Sequence, residues 1–153
     1  MTPRRYSGNV SAFTNTSGAP MGDIGIPSAT FRPALYDINI GSTATPADNA
    51  CEYQIFFNTA ARSGGTSVGS VALDTADPAA LATFFKGTYG TAPTKGAVAL
   101  LEIPLNMRAA FRWVATPGAE FIAAAATTSG HQIFSNSNNP SAFPASWSWS
   151  WAE

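Results

Sequence analysis

Apolar and polar residues alternate at every second position along much of this chain, most clearly at its end. The segment SWSWSWAE places Trp147, Trp149 and Trp151 on one side of an extended strand and the intervening serines on the other. Three exposed neighbouring indoles would be a liability in a free monomer. We therefore expect a closing β-strand whose tryptophans fill the core or a subunit interface. An exposed platform for sugar rings is the alternative.

The same alternation recurs in earlier segments and predicts an all-β fold. ALYDINI, CEYQIFFN and RAAFRWVA each alternate with period two, which is typical of half-buried strands. AVALLEIPL is more continuously apolar, so we expect a more buried strand that ends near Pro104. Short strands separated by turns, without a βαβ rhythm, predict an antiparallel β-sandwich or a jelly-roll-like barrel. The residues predicted to face inward are Tyr36, Ile38, Ile40, Cys51, Tyr53, Ile55, Phe57, Phe111 and Trp113.

One short helix is predicted in TADPAALATFF. Asp77 suits the N-cap, Pro78 suits the first helical position, and alanine and leucine follow. Gly87 and Gly90 come soon afterwards, so the helix has one to three turns at most.

Residues 1–29 predict an extended N-terminal arm, and residues 30–153 a single β-sandwich domain. The arm is rich in Gly, Ser, Pro, Asn and Thr and keeps no helical or strand period. Its scattered apolar residues are expected to pack on its own domain or on another chain, the second being favoured, and its arginine pair is expected to be solvated. The residues concerned are Phe13, Met21, Ile24, Ile26, Arg4 and Arg5.

The charge of the chain argues against several classes of partner. Only 11% of the 153 residues are charged, and the net charge is −1, whereas about 25% is typical of soluble domains. No basic field attracts nucleic acid. No apolar run reaches the ~18 residues of a membrane helix, and no secretory signal is recognisable, so we expect synthesis in the cytoplasm. A surface poor in charge suits a protein that packs against neighbours.

Metal and cofactor sites are not expected. One histidine, His131, and one cysteine, Cys51, cannot form a zinc site or a disulfide within one chain. Asp74 and Asp77 lack the further acids that calcium requires, and turn or capping roles are favoured for both.

Catalysis is not expected either. Ser67 lies in a literal G-x-S-x-G, but the residues that follow it read as strand, whereas a nucleophile elbow needs a helix there. A hydrolase would also need His131 and an acid within reach of Ser67. Asp48 and Glu52 would form a glycosidase pair only across a cleft, and a turn is favoured. The sequence therefore predicts a protein that is not an enzyme.

Three segments resemble a group of small β-rich virion proteins of tailed bacteriophages. They are TPADNACEY at 45–53, LDTADPAAL at 73–81, and RAAFRWVATPGAE at 108–120. The similarity runs from about residue 33 to the end and does not cover residues 1–29. It implies a capsid decoration (cement) protein, a trimer that binds the major capsid protein on the outer surface of the virion. A tail or baseplate component, or a carbohydrate- or receptor-binding module, are the alternatives.

Overall fold

The computed structural model describes residues 3–140 and 142–153. Its regular structure is β-strand, and no helix occurs among these residues, so the predicted all-β class is confirmed. The strands are β1 (Arg5–Thr14), β2 (Pro20–Gly25), β3 (Ala34–Gly41), β4 (Ala50–Ala60), β5 (Ser63–Val68), β6 (Ser70–Ala72), β7 (Thr83–Thr91), β8 (Thr94–Lys95), β9 (Leu101–Asn106), β10 (Phe111–Val114), β11 (Phe121–Ile122), β12 (Gly130–Ser135) and β13 (Pro144–Ala152).

The strands form two antiparallel sheets in a sandwich-like arrangement. Sheet A has the order β10–β3–β13–β1–β6, and β11 also pairs with β3. Sheet B has the order β5–β7–β2–β12–β4–β8, and β9 also pairs with β4. The first four strands alternate between the sheets, which brings the inward face of each sheet against that of the other.

The tryptophans of β13 lie at the centre of the core. Trp147, Trp149 and Trp151 are at most 3% exposed. Phe84 of sheet B approaches them, its ring centroid 6.1 Å from that of Trp149 and 6.2 Å from that of Trp151. Tyr6 stacks on Trp151 at 6.0 Å. Each such aromatic pair contributes about 0.5–1.5 kcal/mol beyond the burial of its rings. Since Phe84 belongs to sheet B and the tryptophans belong to sheet A, this cluster links the two sheets.

A glycine makes room for these rings. Gly8 of β1 pairs with Trp149 and presents no side chain to the core. A Cβ placed there would lie 2.2 Å from Cδ1 of Phe84. The bulky tryptophans of β13 and the ring of Phe84 therefore fit together because the neighbouring strand β1 has a glycine at this position, as close packing requires.

The N-terminal segment does not form the predicted arm. β1 lies between β13 and β6 in sheet A, and β2 lies between β12 and β7 in sheet B. Met21, Ile24 and Ile26 are buried, and Phe13 packs edge-on against Trp147 at 5.2 Å. Of the two positions expected for these apolar residues, the structure shows packing in the chain's own core. Frequent Gly, Ser and Asn hid the strand pattern, because they pair in sheets without giving a hydrophobic period.

The predicted short helix is not formed, and residues 73–82 are turns and bends. Glu153 at the end of the chain accepts hydrogen bonds from the backbone N–H groups of Leu81 and Ala82, both at 2.8 Å. The Tyr6 hydroxyl donates to the carbonyl of Pro78 at 3.2 Å. Backbone groups that a helix would use are therefore bonded to distant parts of the chain, and so short a helix gains little to offset its nucleation cost.

A β-bulge changes one predicted inward face. Ser150 pairs with Asp37 but Trp151 pairs with Leu35, so Tyr36 is an extra residue in β3. Leu35 is fully buried, whereas Tyr36 is half-buried on the outer side. The prediction of Tyr36 on the same face as Ile38 was therefore wrong.

The strand that was expected to be more buried and to end near Pro104 continues to Asn106, and Ile103 is its one buried residue. The prediction of a more buried strand was therefore wrong. β9 pairs with β4 alone, and Pro104 lies opposite Glu52 in that pair. A proline is tolerated there because the other side of an edge strand needs no ladder donor.

Candidate functional site

The outer face of sheet A consists of small polar side chains. Along β13 serines alternate with the buried tryptophans, and the neighbouring strands add serine and asparagine at the same level. The asparagines are exposed and the serines half-exposed, so this face is open to solvent. We call it the serine face, and it comprises Ser7, Asn9, Asn39, Ser146, Ser148 and Ser150.

The members of the serine face lie in cross-strand rows. Ser7 pairs with Ser150 in one row. Asn9 pairs with Ser148, which pairs with Asn39 on its other side. Since side chains of paired residues point the same way, the rows form a surface of short polar side chains, and Asn9, Asn39, Ser146 and Ser148 help to line a hollow of about 380 Å³ in it.

Charged and apolar residues flank the serine face. Arg112 forms a bidentate pair with Asp37, with Nη2 to Oδ2 at 2.7 Å and Nε to Oδ1 at 3.1 Å. Val71, on the β6 side, is 64% exposed, and Val114, on the β10 side, is 53% exposed. The face therefore has a small-residue centre and an exposed valine on either side.

A hollow of about 490 Å³ opens at one end of this face. Its lining includes Arg5, Tyr36, Val114 and Pro117. The Arg5 guanidinium lies 5.7 Å from the centre of the Tyr36 ring. Arg4, its neighbour, lies 3.7 Å from Asp77, so both predicted solvated arginines also make contacts within the chain.

Of the three segments expected to resemble phage virion proteins, 73–81 and 108–120 border sheet A, whereas 45–53 runs into β4 of sheet B. The 108–120 segment contains β10 and the turn towards β11, and the 73–81 segment follows β6. The 45–53 segment is joined to the former by a hydrogen bond from Nε of Arg108 to the carbonyl of Pro46, at 3.1 Å.

A polar pocket occupies the outer face of sheet B. Asp23 of β2 is 1% exposed and forms an ion pair with Arg62, which follows β4. Arg62 also donates from Nη2 to Oγ1 of Thr83 at 3.1 Å, and its Cζ lies 3.5 Å from the centre of the Phe85 ring. The hydroxyl of Tyr89 donates to the other oxygen of Asp23 at 2.9 Å. We call the adjoining cavity, of about 450 Å³, the Arg62 pocket.

Buried amides extend this network. Nε2 of Gln132 donates to Oδ1 of Asn58 at 2.6 Å, and Asn58 lines the Arg62 pocket. Gln132 pairs directly with Asp23 across β12 and β2. Its Oε1 is buried without a hydrogen-bond partner in the described structure.

Burial also raises the pKa of Asp23, to about 6, although Arg62 and Tyr89 oppose the shift. The same environment raises the pKa of Tyr89, through burial first and the nearby Asp23 second. Asp23 therefore changes charge in the mildly acidic range, where an ordinary aspartate is already ionised.

His131, the single histidine, has a structural position. It is fully buried on the inward side of β12, and its Nε2 lies 2.7 Å from the carbonyl oxygen of Phe121. Burial lowers its pKa to about 4. The ring is therefore neutral at physiological pH, and in that form its Nε2 donates to the carbonyl.

Other residues considered for chemistry serve turns and strands. Ser67 is an exposed member of β5. Oδ1 of Asp74 accepts from the N–H of Ala76 at 2.9 Å. Asp48 accepts from the amide of Asn106, and Glu52 accepts from Asn136 at 2.9 Å. In the part of the chain that the structure describes, no group of three or more His, Cys, Asp or Glu residues is placed to hold a metal ion.

The Arg62 pocket was not found from the sequence. The available signal was an aspartate inside the otherwise apolar and glycine-rich segment MGDIGIP. An acid in such a segment needs a partner when it is buried, but its partner lies 39 residues away.

No protein-family model, curated protein or solved structure matches the chain. Within residues 3–140 and 142–153, no helix has the length and apolar character needed to cross a membrane.

Proposed function

We propose that this chain is a bacteriophage virion structural protein, a capsid decoration (cement) protein that binds the major capsid protein on the outer surface of the shell. The observation that carries the proposal is the serine face, a solvent-open sheet surface of small polar residues. Two of the three segments that resemble those of phage virion proteins, 73–81 and 108–120, border the same sheet. We further infer that the two layers form a complete β-sandwich.

The composition of the serine face favours contact with another folded surface. Serine loses little rotamer freedom when it is covered, whereas each long side chain costs about 0.5–1.5 kcal/mol to immobilise. The principal ion pair of this face, Asp37 with Arg112, is satisfied within the chain. Covering this face therefore requires little ordering and leaves few charges unpaired.

The edges of sheet A favour contact through its face instead of strand addition. β6, at one edge of sheet A, has three residues, and β11, which pairs with β3 beside β10, has two. Such short edge strands offer few free backbone groups to another chain.

A trimer fits a protein that must hold neighbouring capsomers together. Three modest contacts made at once give far tighter binding than one, because the second and third become intramolecular. The chain would then clamp shell subunits without any deep pocket.

The test compares two serine-to-arginine variants on purified shells that lack the protein. Ser148→Arg places a long charge in the centre of the serine face, whereas Ser67→Arg places the same charge on exposed β5 of sheet B. We expect Ser148→Arg to abolish saturable shell binding and Ser67→Arg to bind like the parent. Thermal unfolding of both free variants establishes that each is folded.

Two outcomes would overturn the proposal. Binding of the parent to purified tails with none to shells would assign the chain to the tail or baseplate. Equal loss of shell binding in both variants, or in neither, would exclude the serine face as the contact surface. Particle images should also show the bound protein at symmetry-related positions with three copies together.

A further inference from the structure

The Arg62 pocket presents an unusual excess of hydrogen-bond donors. Arg62 carries five N–H groups, of which the structure assigns one to Asp23 and one to Thr83. Oδ1 of Asn58 is engaged by Gln132, which leaves its amide Nδ2 for the cavity it lines. Ser129, which also lines the cavity, carries a further hydroxyl donor. A donor-rich wall is matched by a ligand rich in acceptors.

The guanidinium is held in place before any ligand arrives. Arg62 lies flat against Phe85, is tied to Asp23 and Thr83, and exposes 13% of its side chain. A fixed planar fork suits bidentate recognition of carboxylate or phosphate oxygens. Binding would therefore cost little side-chain entropy.

The charge of the pocket depends on Asp23. Asp23 and Arg62 are the charged residues of its lining. Tyr89 of β7 is the other titratable group in contact with the carboxyl, and Gln132, opposite it on β12, is neutral. Lys86 pairs with Gly22, the residue before Asp23. Since neighbouring residues of a strand point to opposite faces, the side chain of Lys86 belongs to the face opposite that of Asp23. Protonation of Asp23 therefore leaves the pocket with the positive charge of Arg62.

We propose that the Arg62 pocket binds a compact oxyanion, a carboxylate or phosphate group, between Arg62 and Asn58, and that the bound anion replaces Asp23 as the counter-ion of Arg62. This site is separate from the serine face and does not depend on the proposed shell binding. No covalent step is involved, and the only chemical change is uptake of one proton by Asp23.

The exchange of counter-ions makes binding dependent on pH. Because the Asp23 carboxyl has a pKa of about 6, most molecules already hold the proton at pH 5 and few hold it at pH 7.5. Anion binding at the higher pH must also bring in that proton, which weakens it. We expect affinity for formate, which keeps its charge over this range, to fall on the order of tenfold between pH 5.5 and 7.5.

The experiment titrates the full chain with formate and, separately, with inorganic phosphate, at constant ionic strength set with chloride. Two-dimensional nitrogen–proton NMR follows the side-chain signals of Arg62 and Asn58. We expect saturable shifts at these groups at pH 5.5, with weaker binding at pH 7.5. The two anions distinguish a carboxylate from a phosphate preference.

Three variants sharpen the test. Arg62→Lys keeps the charge but removes the fork, and should weaken binding on the order of tenfold. Arg112→Lys makes the same change in the exposed Arg112–Asp37 pair and should bind like the parent. Asp23→Asn should bind formate at pH 7.5 as tightly as the parent does at pH 5.5.

Several results would overturn the proposal. They are the absence of saturable shifts at Arg62 and Asn58 at pH 5.5, equal effects of the two lysine variants, or a formate affinity of the parent that does not depend on pH. If Asp23→Asn does not fold, the pH dependence of the parent and the comparison of Arg62→Lys with Arg112→Lys still decide.

Discussion

Asp23 and His131 lie on the adjacent strands β2 and β12, one residue out of register, and point to opposite faces of sheet B. Asp23 pairs with Gln132, and His131 pairs with Ile24. Burial raises the pKa of Asp23 to about 6 and lowers that of His131 to about 4. Both shifts therefore favour the uncharged form, one in an acid and the other in a base.

The two groups should have opposite effects on stability between pH 4 and 6.5. A raised acid pKa stabilises the fold at low pH, and this contribution is lost as pH rises from about 4 to about 6. A lowered histidine pKa stabilises the fold above pH 6.5, and this contribution is lost as pH falls towards 4. Each pKa shift changes the free energy of unfolding by up to about 3 kcal/mol over this interval. In the parent the two opposite changes therefore largely cancel.

Single variants should separate the two contributions. Relative to the parent, Asp23→Asn should lose stability more steeply as pH falls from 6.5 to 4, because the histidine effect is no longer opposed. His131→Gln, which keeps a donor for Phe121, should gain relative stability over the same interval. Urea unfolding at half-unit pH steps measures both. Profiles parallel to that of the parent would show that neither group titrates as described.

Glu153 should hold the 73–82 loop. Its carboxylate accepts from the N–H groups of Leu81 and Ala82 and from Nε1 of Trp151, the last at 3.0 Å. Removing these charge-assisted bonds in Glu153→Ala should lower the free energy of unfolding by about 2–4 kcal/mol. Amide hydrogen exchange at Leu81 and Ala82 should accelerate.

Exposed Glu102 provides the control for this prediction. Its carboxylate accepts from Gln54 at 3.3 Å on the surface. Glu102→Ala should cost less than about 0.5 kcal/mol. If the two alanine variants lose equal free energy of unfolding, or if amide exchange in the 73–82 loop is unchanged, the side-chain carboxylate of Glu153 does not secure the loop.

Asn139 should be the critical residue of the turn that follows β12, at residues 136–140. Its amide accepts from the N–H of Glu52 and donates to the carbonyl of the same residue, both at 2.7 Å, and it donates to Ser135 at 2.9 Å. Asn139→Ala should destabilise the fold by about 1–3 kcal/mol, because it leaves the N–H of Glu52 without its partner. The carbonyl of Glu52 still accepts from the N–H of Asn136 at 3.1 Å. Exposed Asn138, changed to alanine, should cost under about 0.5 kcal/mol. Similar urea midpoints for the two variants would contradict this assignment.

The fold class was predictable because the alternation of β13 and β4 is a local property. In SWSWSW and CEYQI each inward residue is apolar and each outward one polar, so period two is visible without knowledge of the partner strand. In β1 and β2 the inward positions include Gly8 and Gly22, which carry no hydrophobic signal. Their place in the sheets depends on large residues elsewhere, namely Phe84 and Trp147.

The candidate sites also differ in whether they depend on local sequence pattern or on long-range contacts. The serines of the serine face follow directly from the spacing of the tryptophans. The Arg62 pocket depends on long-range contacts between Asp23, Arg62 and Tyr89, which come from three different parts of the chain. The 73–82 segment carries good helix signals at Asp77 and Pro78, but bonds to Glu153 outweigh them, and local propensity does not register those bonds.

Substitution of Gly8 should reveal how tightly the aromatic core is packed. A Cβ at this position would lie 2.2 Å from Cδ1 of Phe84. The Phe84 ring packs against Trp149 and Trp151. Gly8→Ala should therefore destabilise the fold by about 1–3 kcal/mol, since overpacked cores force strained side chains. Gly69→Ala is the matched control, because nothing lies within 4 Å of a Cβ there. Adding Phe84→Leu to Gly8→Ala should cost less than Phe84→Leu costs in the parent, as urea unfolding of all four variants would measure. Additive costs would mean that the new methyl group and Phe84 do not compete for the same space.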